Sequence, residues 1–257
     1  MSRIFITGSA GGLGQRAANL LVQSGHRVVL HARDDKRAKD ALEGAPGAES
    51  VVLGDLSSLN GMKSVARQVN ALGRFDAIIY NASVGYREPR RIETVDGLPH
   101  VFAINSLAPY VLTCLIRKPE RLIYMSSGLH KDGDSSLNDL LWAERPWAGY
   151  AAYSDSKLHM VLLAFAVARR WPDAYSNAVD PGWVATMMGG KGAPDSLKEA
   201  PKTQVWLAAG TDPSATVSGR YFYHGRPRAH HPATDDVQTQ ERLLAACERY
   251  SGIAFPK

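Results

Sequence analysis

Short apolar segments rich in β-branched residues alternate with helical patterns along almost the whole chain. The first segment covers Arg3 to Thr7, and the next, from Arg27 to His31, follows a helical stretch that ends at Gly25. Uniformly apolar strands separated by helices predict a parallel sheet that is covered on both sides. We therefore expect an α/β fold, with one doubly wound parallel sheet, helices on both faces and a single domain over residues 1–257.

The later elements continue this alternation. A serine at a helix start can accept from the free amides, so Ser57 is predicted as the N-cap of the third helix. Beyond the first two, strands are predicted over 50–53, 75–80, 121–125, 174–179 and 219–223. Helices are predicted over 12–24, 34–43, 57–72, 98–115, 151–170 and 237–249.

Composition excludes several other classes of protein. Apolar residues make up 45% of the chain and charged residues 21%, which suits a buried sheet and argues against disorder. No membrane helix or signal peptide is predicted. Cys114 and Cys247 form no CxxC pattern, so we expect no disulfide framework and a reducing, cytoplasmic location. The net charge of +5 is spread over separate clusters, which favours a solvated surface and neither a nucleic-acid nor a membrane partner.

A glycine-rich turn, TGSAGGLG over residues 7–14, joins the first strand to the first helix. Glycines let the backbone turn sharply and approach a pyrophosphate, and the helix N-terminus offers free N–H groups to the phosphates. A tight strand–helix turn would also explain glycines, but this position in the fold favours phosphate binding. The predicted contacts are Gly8, Ser9, Gly11, Gly12, Leu13 and Gly14.

This loop and the motifs after it resemble the short-chain dehydrogenase/reductase family over nearly the whole chain. Gly54-Asp55-Leu56 is similar to the family's adenine-side motif, which implies that the Asp55 carboxylate accepts from the adenine amine. Tyr80-Asn81-Ala82-Ser83 resembles its NNAG motif, with Asn81 bracing the central strands and Ser83 in place of the second glycine. The resemblance adds Asp55, Leu56, Asn81, Ala82 and Ser83 to the predicted nicotinamide-cofactor contacts.

The end of the second strand bears on which nicotinamide cofactor binds. An acidic residue there would accept from the ribose 2′-hydroxyl and repel a 2′-phosphate, whereas a guanidinium binds phosphate through paired hydrogen bonds. Arg33 stands at this place, which favours NADP(H). Asp34 follows immediately, so a shift of one residue would reverse the preference, and NAD(H) stays open as the alternative.

Tyr153 and Lys157 are the most informative pair in the sequence. They lie four residues apart in a predicted helix and so share a face. A nearby ammonium favours the phenolate and would lower the tyrosine pKa from about 10 towards neutrality. Tyr150 has serine, not lysine, four residues later. Tyr153 is therefore the predicted acid/base and Lys157 its electrostatic partner.

Two further residues complete the catalytic set that the resemblance implies. Ser126 and Ser127 follow the fifth strand, where the family has a serine that binds the substrate oxygen. Ser127 is preferred, with Ser126 as the alternative. Asn105 matches the family asparagine that holds a water between the lysine and solvent; it would also suit a simple polar site inside a packed helix.

The segment after the sixth strand resembles the family's PG motif, and Pro181, Gly182, Val184 and Thr186 are predicted at the nicotinamide end of the cofactor. Residues 183–200 are glycine-rich and contain two methionines, which predicts a mobile substrate lid. Because methionine adapts to varied apolar shapes, we expect an apolar ketone, aldehyde or secondary alcohol as substrate.

The long segment between Ser127 and Tyr153 is similar to that of the retinol dehydrogenase and carbonyl reductase-like branch. Its aromatic residues could line a substrate pocket or pack as a surface loop. The helix predicted before the fifth strand looks shorter than is usual in the family. Since that helix and the one with Tyr153 form the usual family dimer interface, both a homodimer and a monomer are open.

These features together predict an NADP(H)-dependent oxidoreductase acting between a carbonyl and an alcohol. Two alternatives share part of the pattern. A sugar-nucleotide epimerase or dehydratase would need a TGxxGxxG loop and a larger C-terminal substrate domain. A non-catalytic NADP(H)-sensing regulator would not need Ser127, Tyr153 and Lys157 together. His224, His230 and His231 have no acidic or cysteine partner at ligand spacing, so no metal site is predicted.

Overall fold

The computed structural model describes residues 1–256, and in this part of the chain the strands form one eight-stranded sheet. They are β1 (Arg3–Ile6), β2 (Arg27–Ala32), β3 (Ser50–Leu53), β4 (Ala77–Tyr80), β5 (Arg121–Met125), β6 (Tyr175–Asp180), β7 (Arg220–Tyr223) and β8 (Arg226–Pro227). Their order is β3-β2-β1-β4-β5-β6-β7-β8. Every neighbouring pair is parallel except β7–β8, a short antiparallel edge that the sequence reasoning missed.

The chain winds outward in both directions from the β1–β4 pair, in which Ile4 lies opposite Ala77. One half continues through β2 and β3, and the other through β5 to β8. Connections on the two sides of such a reversal diverge and leave a crevice at the carboxyl ends of the central strands. The predicted doubly wound parallel sheet is confirmed.

The main helices lie between these strands, except α8, which follows the last one. They are α1 (Gly12–Gln23), α2 (Asp35–Gly44), α3 (Leu59–Ala71), α4 (His100–Phe102), α5 (Ala108–Leu115), α6 (Gly149–Arg170), α7 (Lys202–Ala209) and α8 (Val237–Ser251). The short α7 was missed because its sequence has no clear apolar stripe. The predicted N-cap of the third helix was wrong by one residue: the Ser58 hydroxyl accepts from the Gly61 amide, whereas the Ser57 amide donates to Asp55.

The helix predicted over 98–115 is interrupted. A π-helical segment, Ala103–Leu107, separates α4 from α5. Pro109, in the first turn of α5, has no N–H to donate to the carbonyl of Asn105, so the regular α-helical pattern cannot pass through this point. Asn105, one of the predicted site residues, lies inside this interruption.

Each face of the sheet carries an apolar core. Alternating side chains of β1 point in opposite directions: Phe5 packs on the face that carries α3, α5 and α6, and Ile4 and Ile6 pack on the face with α1 and α7. The helix α6 is buried over most of its length, since α8 packs against it with Leu243 and Leu244.

Candidate functional site

A cleft of about 1370 Å³ opens at the carboxyl ends of the strands. The loops after β1 to β6, together with α6, supply its walls. Seventeen of the twenty residues predicted from sequence line it, and the exceptions are Ser9, Gly14 and Asn105. The lining residues are Gly8, Gly11, Gly12, Leu13, Arg33, Asp55, Leu56, Asn81, Ala82, Ser83, Ser127, Tyr153, Lys157, Pro181, Gly182, Val184 and Thr186.

The glycine loop has the form of a phosphate cradle. Gly8 has a φ of +64°, and a Cβ there would lie 2.7 Å from Ala82 Cα, so only glycine fits. Gly12 begins α1 with a φ of +58°, and a Cβ on it would meet nothing within 4 Å. No side chain caps the N-terminus of α1. Open space beside uncapped amides at a helix N-terminus suits a phosphate group.

Thr7 and Asn81 join this loop to the one after β4. The Thr7 hydroxyl accepts from the amides of Asn81 and Ala82, at 2.9 and 3.0 Å. The Asn81 side-chain amide donates to the carbonyls of Thr7 and Gly8, at 3.0 and 3.1 Å. A Cβ on Gly14 would collide with that amide and with the Gly8 carbonyl. Gly14 therefore permits the bracing contact without lining the cleft.

His31 is a residue of this site that the sequence reasoning missed. Its side chain is buried, its Nδ1 accepts from the Gly8 amide at 2.9 Å, and its Nε2 lies 2.9 Å from the Gly54 carbonyl. A neutral ring protonated on Nε2 satisfies both contacts, and burial lowers the pKa of His31. The backbone amide of His31 also donates to the hydroxyl of Ser9, which is fully buried. His31 thus links the glycine loop to the loop that carries Asp55.

Arg33 and Arg37 line the far end of the cleft. The Arg33 side chain is 72% exposed, and its Nε contacts Asp34 at 3.1 Å. Asp34 is the N-cap of α2 and accepts from the Arg37 amide at 2.8 Å, a bond that lowers the pKa of Asp34. Asp34, the carboxylate next to Arg33, therefore caps the N-terminus of α2. Arg37 was missed as a site residue, although it belongs to a visible basic cluster, and its guanidinium lies against Gly11.

Lys157 is buried beside Tyr153 at the base of the cleft. Its Nζ donates to the Ser83 hydroxyl at 3.0 Å and to the Met125 carbonyl at 3.1 Å. The same atom lies 5.1 Å from the centre of the Tyr153 ring. Ser83, the residue that departs from the resembled motif, thus supplies a direct partner for the lysine.

The electrostatics of this pair differ from the simple expectation. Burial lowers the pKa of Lys157 to about 7, and the carboxylate of Asp180 acts in the opposite direction. The pKa of Tyr153 is raised, first by burial and then by Asp180 and Tyr86. In this structure desolvation therefore outweighs the attraction between ammonium and phenolate. Tyr153 is held as a neutral phenol, which is the proton-donating form.

The two serines after β5 have different environments. Ser126 is buried, and its hydroxyl donates to the backbone carbonyl of Lys157 at 2.8 Å. Ser127 is only partly buried, and its hydroxyl accepts a long bond of 3.3 Å from the Leu129 amide. A hydroxyl with a proton to donate inside the cleft suits an oxygen-binding role, and Ser127 is the one that retains it.

Asn105 is buried behind the cleft wall. Its carbonyl oxygen accepts from the Val84 amide at 2.8 Å, and its amide donates to the Val84 carbonyl and the Ser156 hydroxyl, both at 3.0 Å. None of these bonds reaches Lys157. In this structure Asn105 fixes the loop after Ser83 to α6.

The turn after β6 closes the remaining side. Asp180 is buried and accepts from the Gly182 amide at 2.8 Å and from the Tyr221 hydroxyl at 3.0 Å. Beyond this turn, Met188 enters the cleft, and the Tyr153 hydroxyl lies 3.6 Å from its Sδ. The predicted lid segment therefore contacts the candidate catalytic phenol directly.

Neither a metal cluster nor a membrane span is found in residues 1–256. No three histidine, cysteine, aspartate or glutamate side chains in this range are grouped as metal ligands. No helix in the same range is long and apolar enough to cross a membrane. Cys114 and Cys247 are both free thiols.

Comparisons with known proteins identify the family. A family model described as Enoyl-(Acyl carrier protein) reductase matches residues 8–216. Uncharacterized oxidoreductase AN7799 of Emericella nidulans is 45% identical over 260 residues, covering 100% of this chain and 99% of its own length. Short-chain dehydrogenase chyC of Penicillium rubens is 41% identical over 263 residues and covers 100% of both chains. The chain belongs to the short-chain dehydrogenase/reductase family, and it is an oxidoreductase.

More distant matches agree with this assignment. Retinol dehydrogenase 13 of Homo sapiens is 28% identical and covers 98% of this chain and 85% of its own length, in line with the branch that the sequence resembles. A crystal structure of an uncharacterized protein from Mycobacterium paratuberculosis superposes with a TM-score of 0.85 at 24% identity. It covers 100% of this chain and 96% of that one, which shows the fold.

Proposed function

We propose that this protein is an NADP(H)-dependent carbonyl reductase or alcohol dehydrogenase with Tyr153 as its acid/base. The observation that carries the proposal is the position of Tyr153, Lys157 and Ser127 in one cleft, whose other end is formed by the glycine loop and two arginines. The open cradle at Gly12 fits a pyrophosphate, and the hydroxyls at the other end fit a carbonyl oxygen. The cofactor, when bound, supplies or accepts the hydride.

The chain's own residues would handle the oxygen and its proton. During reduction, the Ser127 hydroxyl donates a hydrogen bond to the substrate carbonyl. The Tyr153 hydroxyl passes its proton to the same oxygen as the carbon receives the hydride, so that an alcohol forms. Lys157, held by Ser83 and Met125, stabilises the negative charge left on the phenolic oxygen. Oxidation of an alcohol uses the same residues in reverse.

The preference for NADP(H) rests on charge at the far end of the cleft. Arg33 and Arg37 both line it, and together they suit a 2′-phosphate. Asp34, the carboxylate that could favour NAD(H), is occupied by the helix cap and by Arg33. Arg33→Ala should weaken NADPH binding about tenfold or more and leave NADH binding little changed. The exposed Lys36, one position before Arg37 and outside the cleft, gives a matched control in Lys36→Ala.

The experiment that tests the proposal combines cofactor titration with a carbonyl panel. NADPH and NADH are titrated against the protein by fluorescence, and turnover of apolar ketones and aldehydes is then followed by the loss of NADPH absorbance. Tyr153→Phe should lose turnover and keep NADPH binding. Retained turnover in that variant would refute the role of Tyr153, and absence of binding by either cofactor would refute the proposal as a whole.

The lid end of the cleft favours an apolar substrate. Ile104, Leu129, Met187 and Met188 line it together with Tyr86. These side chains offer shape and apolar area but few fixed polar contacts. Within the carbonyl panel, bulky apolar ketones should therefore have lower KM values than small polar ones.

A further inference from the structure

A histidine–carboxylate pair lies at the substrate end of the cleft and has no part in the chemistry above. His100, the first residue of α4, lines the cleft. Its Nδ1 lies 2.7 Å from Glu88 Oε1. Ile104, four residues later, lines the same cleft, so both side chains lie on one face of this helical segment, a turn apart.

Glu88 fixes which nitrogen of His100 carries the proton. Its Oε2 is buried and has no hydrogen-bond partner among residues 1–256, so the imidazole is the side-chain group that its carboxylate engages. A carboxylate is an acceptor only, so the ring donates to it from Nδ1. The other nitrogen, Nε2, has no partner among the described side chains, and in the neutral ring it is an acceptor.

The pair is held rigidly. The Trp147 indole donates to the Glu88 carbonyl at 2.9 Å. Gly149, at the start of α6, lies so close that a Cβ would be 2.6 Å from the same carbonyl. The Glu88 backbone is thus fixed between the long segment before α6 and the helix that carries Tyr153. A group fixed in this way loses little conformational entropy when it binds a ligand.

The loop between Ser83 and Glu88 connects this pair to the reacting residues. Ser83 holds Lys157, and a Cβ on Gly85 would lie 2.9 Å from Met188. The Tyr86 ring lies edge-on to Tyr153 at 5.6 Å. The surface between the two polar sites is therefore formed by apolar and aromatic groups, as a substrate with a flat apolar body would require.

We propose that His100, oriented by Glu88, accepts a hydrogen bond from a hydroxyl group carried by the carbonyl substrate. This inference rests on the proposed function and narrows the substrate class to hydroxylated, largely apolar ketones or aldehydes. His100 is then a specificity residue: it distinguishes substrates by a group remote from the reacting carbon.

The test compares α-tetralone with its phenolic derivatives, isomers that each carry one ring hydroxyl, in wild-type protein, His100→Leu and His100→Gln. Glutamine retains an acceptor at similar reach, and leucine does not. In the wild type the best phenolic isomer should have a kcat/KM about three- to tenfold above that of the parent ketone, the range expected for one neutral hydrogen bond. His100→Leu should abolish this preference for the phenol, and His100→Gln should retain part of it. His26→Leu, a histidine at the opposite end of β1 and β2, is the matched control.

Binding gives a second readout that does not depend on turnover. Titration of the same compounds into the protein with NADP+, followed by calorimetry, should show the same hydroxyl preference in Kd and the same loss in His100→Leu. A ratio that His100→Leu leaves unchanged in both readouts overturns the inference. A His100 variant in which kcat/KM and binding fall equally for the parent ketone and the phenol also overturns it, because a merely structural histidine would have that effect. Wild-type protein that binds the phenol selectively but reduces neither ketone contradicts the proposed reduction and leaves the recognition role supported.

Discussion

Ser83→Ala should move the pH dependence of reduction towards lower pH. The Ser83 hydroxyl is one of two hydrogen-bond partners of the Lys157 ammonium, at 3.0 Å, and the Met125 carbonyl is the other. Burial already lowers the pKa of Lys157 from 10.5 to about 7. A hydrogen bond to an acceptor stabilises the charged amine more than the neutral one. Its removal should therefore lower this pKa further.

The size of the pKa shift follows from how much stronger this hydrogen bond is with the charged amine than with the neutral amine. A hydrogen bond to a charged group contributes about 1.5–3 kcal/mol, and one between neutral groups about 0.5–1.5 kcal/mol. The difference, about 1 kcal/mol, corresponds to a pKa decrease of about 0.7. Alanine keeps the Cβ and leaves the backbone conformation of the loop accessible, so the loss is confined to the hydroxyl.

The assay is kcat/KM for NADPH, which reports the ionisation of groups in the free enzyme, measured from about pH 5.5 to about pH 9. The raised pKa of Tyr153 keeps the phenol protonated through this range, so the fall in rate follows Lys157. In the wild type the rate should fall as pH rises through about 7. In Ser83→Ala the same fall should occur at a pH about 0.7 unit lower.

Ser24→Ala, which removes an exposed hydroxyl at the end of α1, is the control and should leave the profile unchanged. Circular dichroism of both variants checks that the fold is intact. If the midpoint of the fall in kcat/KM does not move in Ser83→Ala, or moves to higher pH, the fall is not caused by the ionisation of Lys157 and the reasoning is refuted.

Other perturbations test the same structure at separate points. Lys157→Met should raise the free energy of unfolding at pH 6 by about 2–4 kcal/mol, because the wild type pays to desolvate an ammonium whose pKa has fallen from 10.5 to about 7. That gain should shrink as pH rises from 7 towards 10.5, and a gain in urea midpoint that is independent of pH would contradict it. His31→Ala, which removes the partners of Gly8 and Gly54, should raise the KM for NADPH about tenfold with little change in kcat, and His31→Gln should recover part of it. Sedimentation equilibrium should give the monomer mass of 27.9 kDa. The reason is that α8 and the segment after it cover α5 and α6, the helices that form the usual dimer interface of the family. A dimer mass would contradict this prediction.

The expected monomer has a clear structural basis. The Tyr110 hydroxyl of α5 donates to the Ile253 carbonyl at 2.8 Å, and Phe255 lies against the rings of Tyr110 and Trp171. These contacts, with those of α8, place the C-terminal segment on α5 and α6. A second copy could use this face only by displacing that segment.

Local pattern was enough to predict the features that depend on neighbouring residues. The glycine loop, the strand–helix alternation and the Tyr153/Lys157 spacing are all contained in short segments. The predicted strand positions differ from the observed ones by one or two residues at most. Among the helices, α7 was missed, and the segment predicted over 98–115 is interrupted because Pro109 lacks an N–H.

The parts that could not be predicted depend on tertiary pairing. His31 reaches Gly8 and Gly54 only because β2 lies between β1 and β3 in the sheet. The partnership of Ser83 with Lys157 joins residues 74 positions apart. The pKa of Tyr153 could not be inferred from spacing either, since burial and the carboxylate of Asp180 outweigh the nearby lysine. In each case the sequence shows the residue but not the environment.

The ionisation of the pair also bears on the pH range in which the proposed reduction is fastest. The proposed reduction needs a protonated Tyr153 and a charged Lys157, and both forms coexist below the lysine pKa of about 7. Oxidation needs the phenol to lose its proton, yet by the pH at which that becomes easier the lysine has already lost its charge. Asp180 strengthens the asymmetry, since it raises both pKa values and so favours both protonated forms. The proposed reduction should therefore be fastest at neutral or mildly acidic pH, where both groups are protonated.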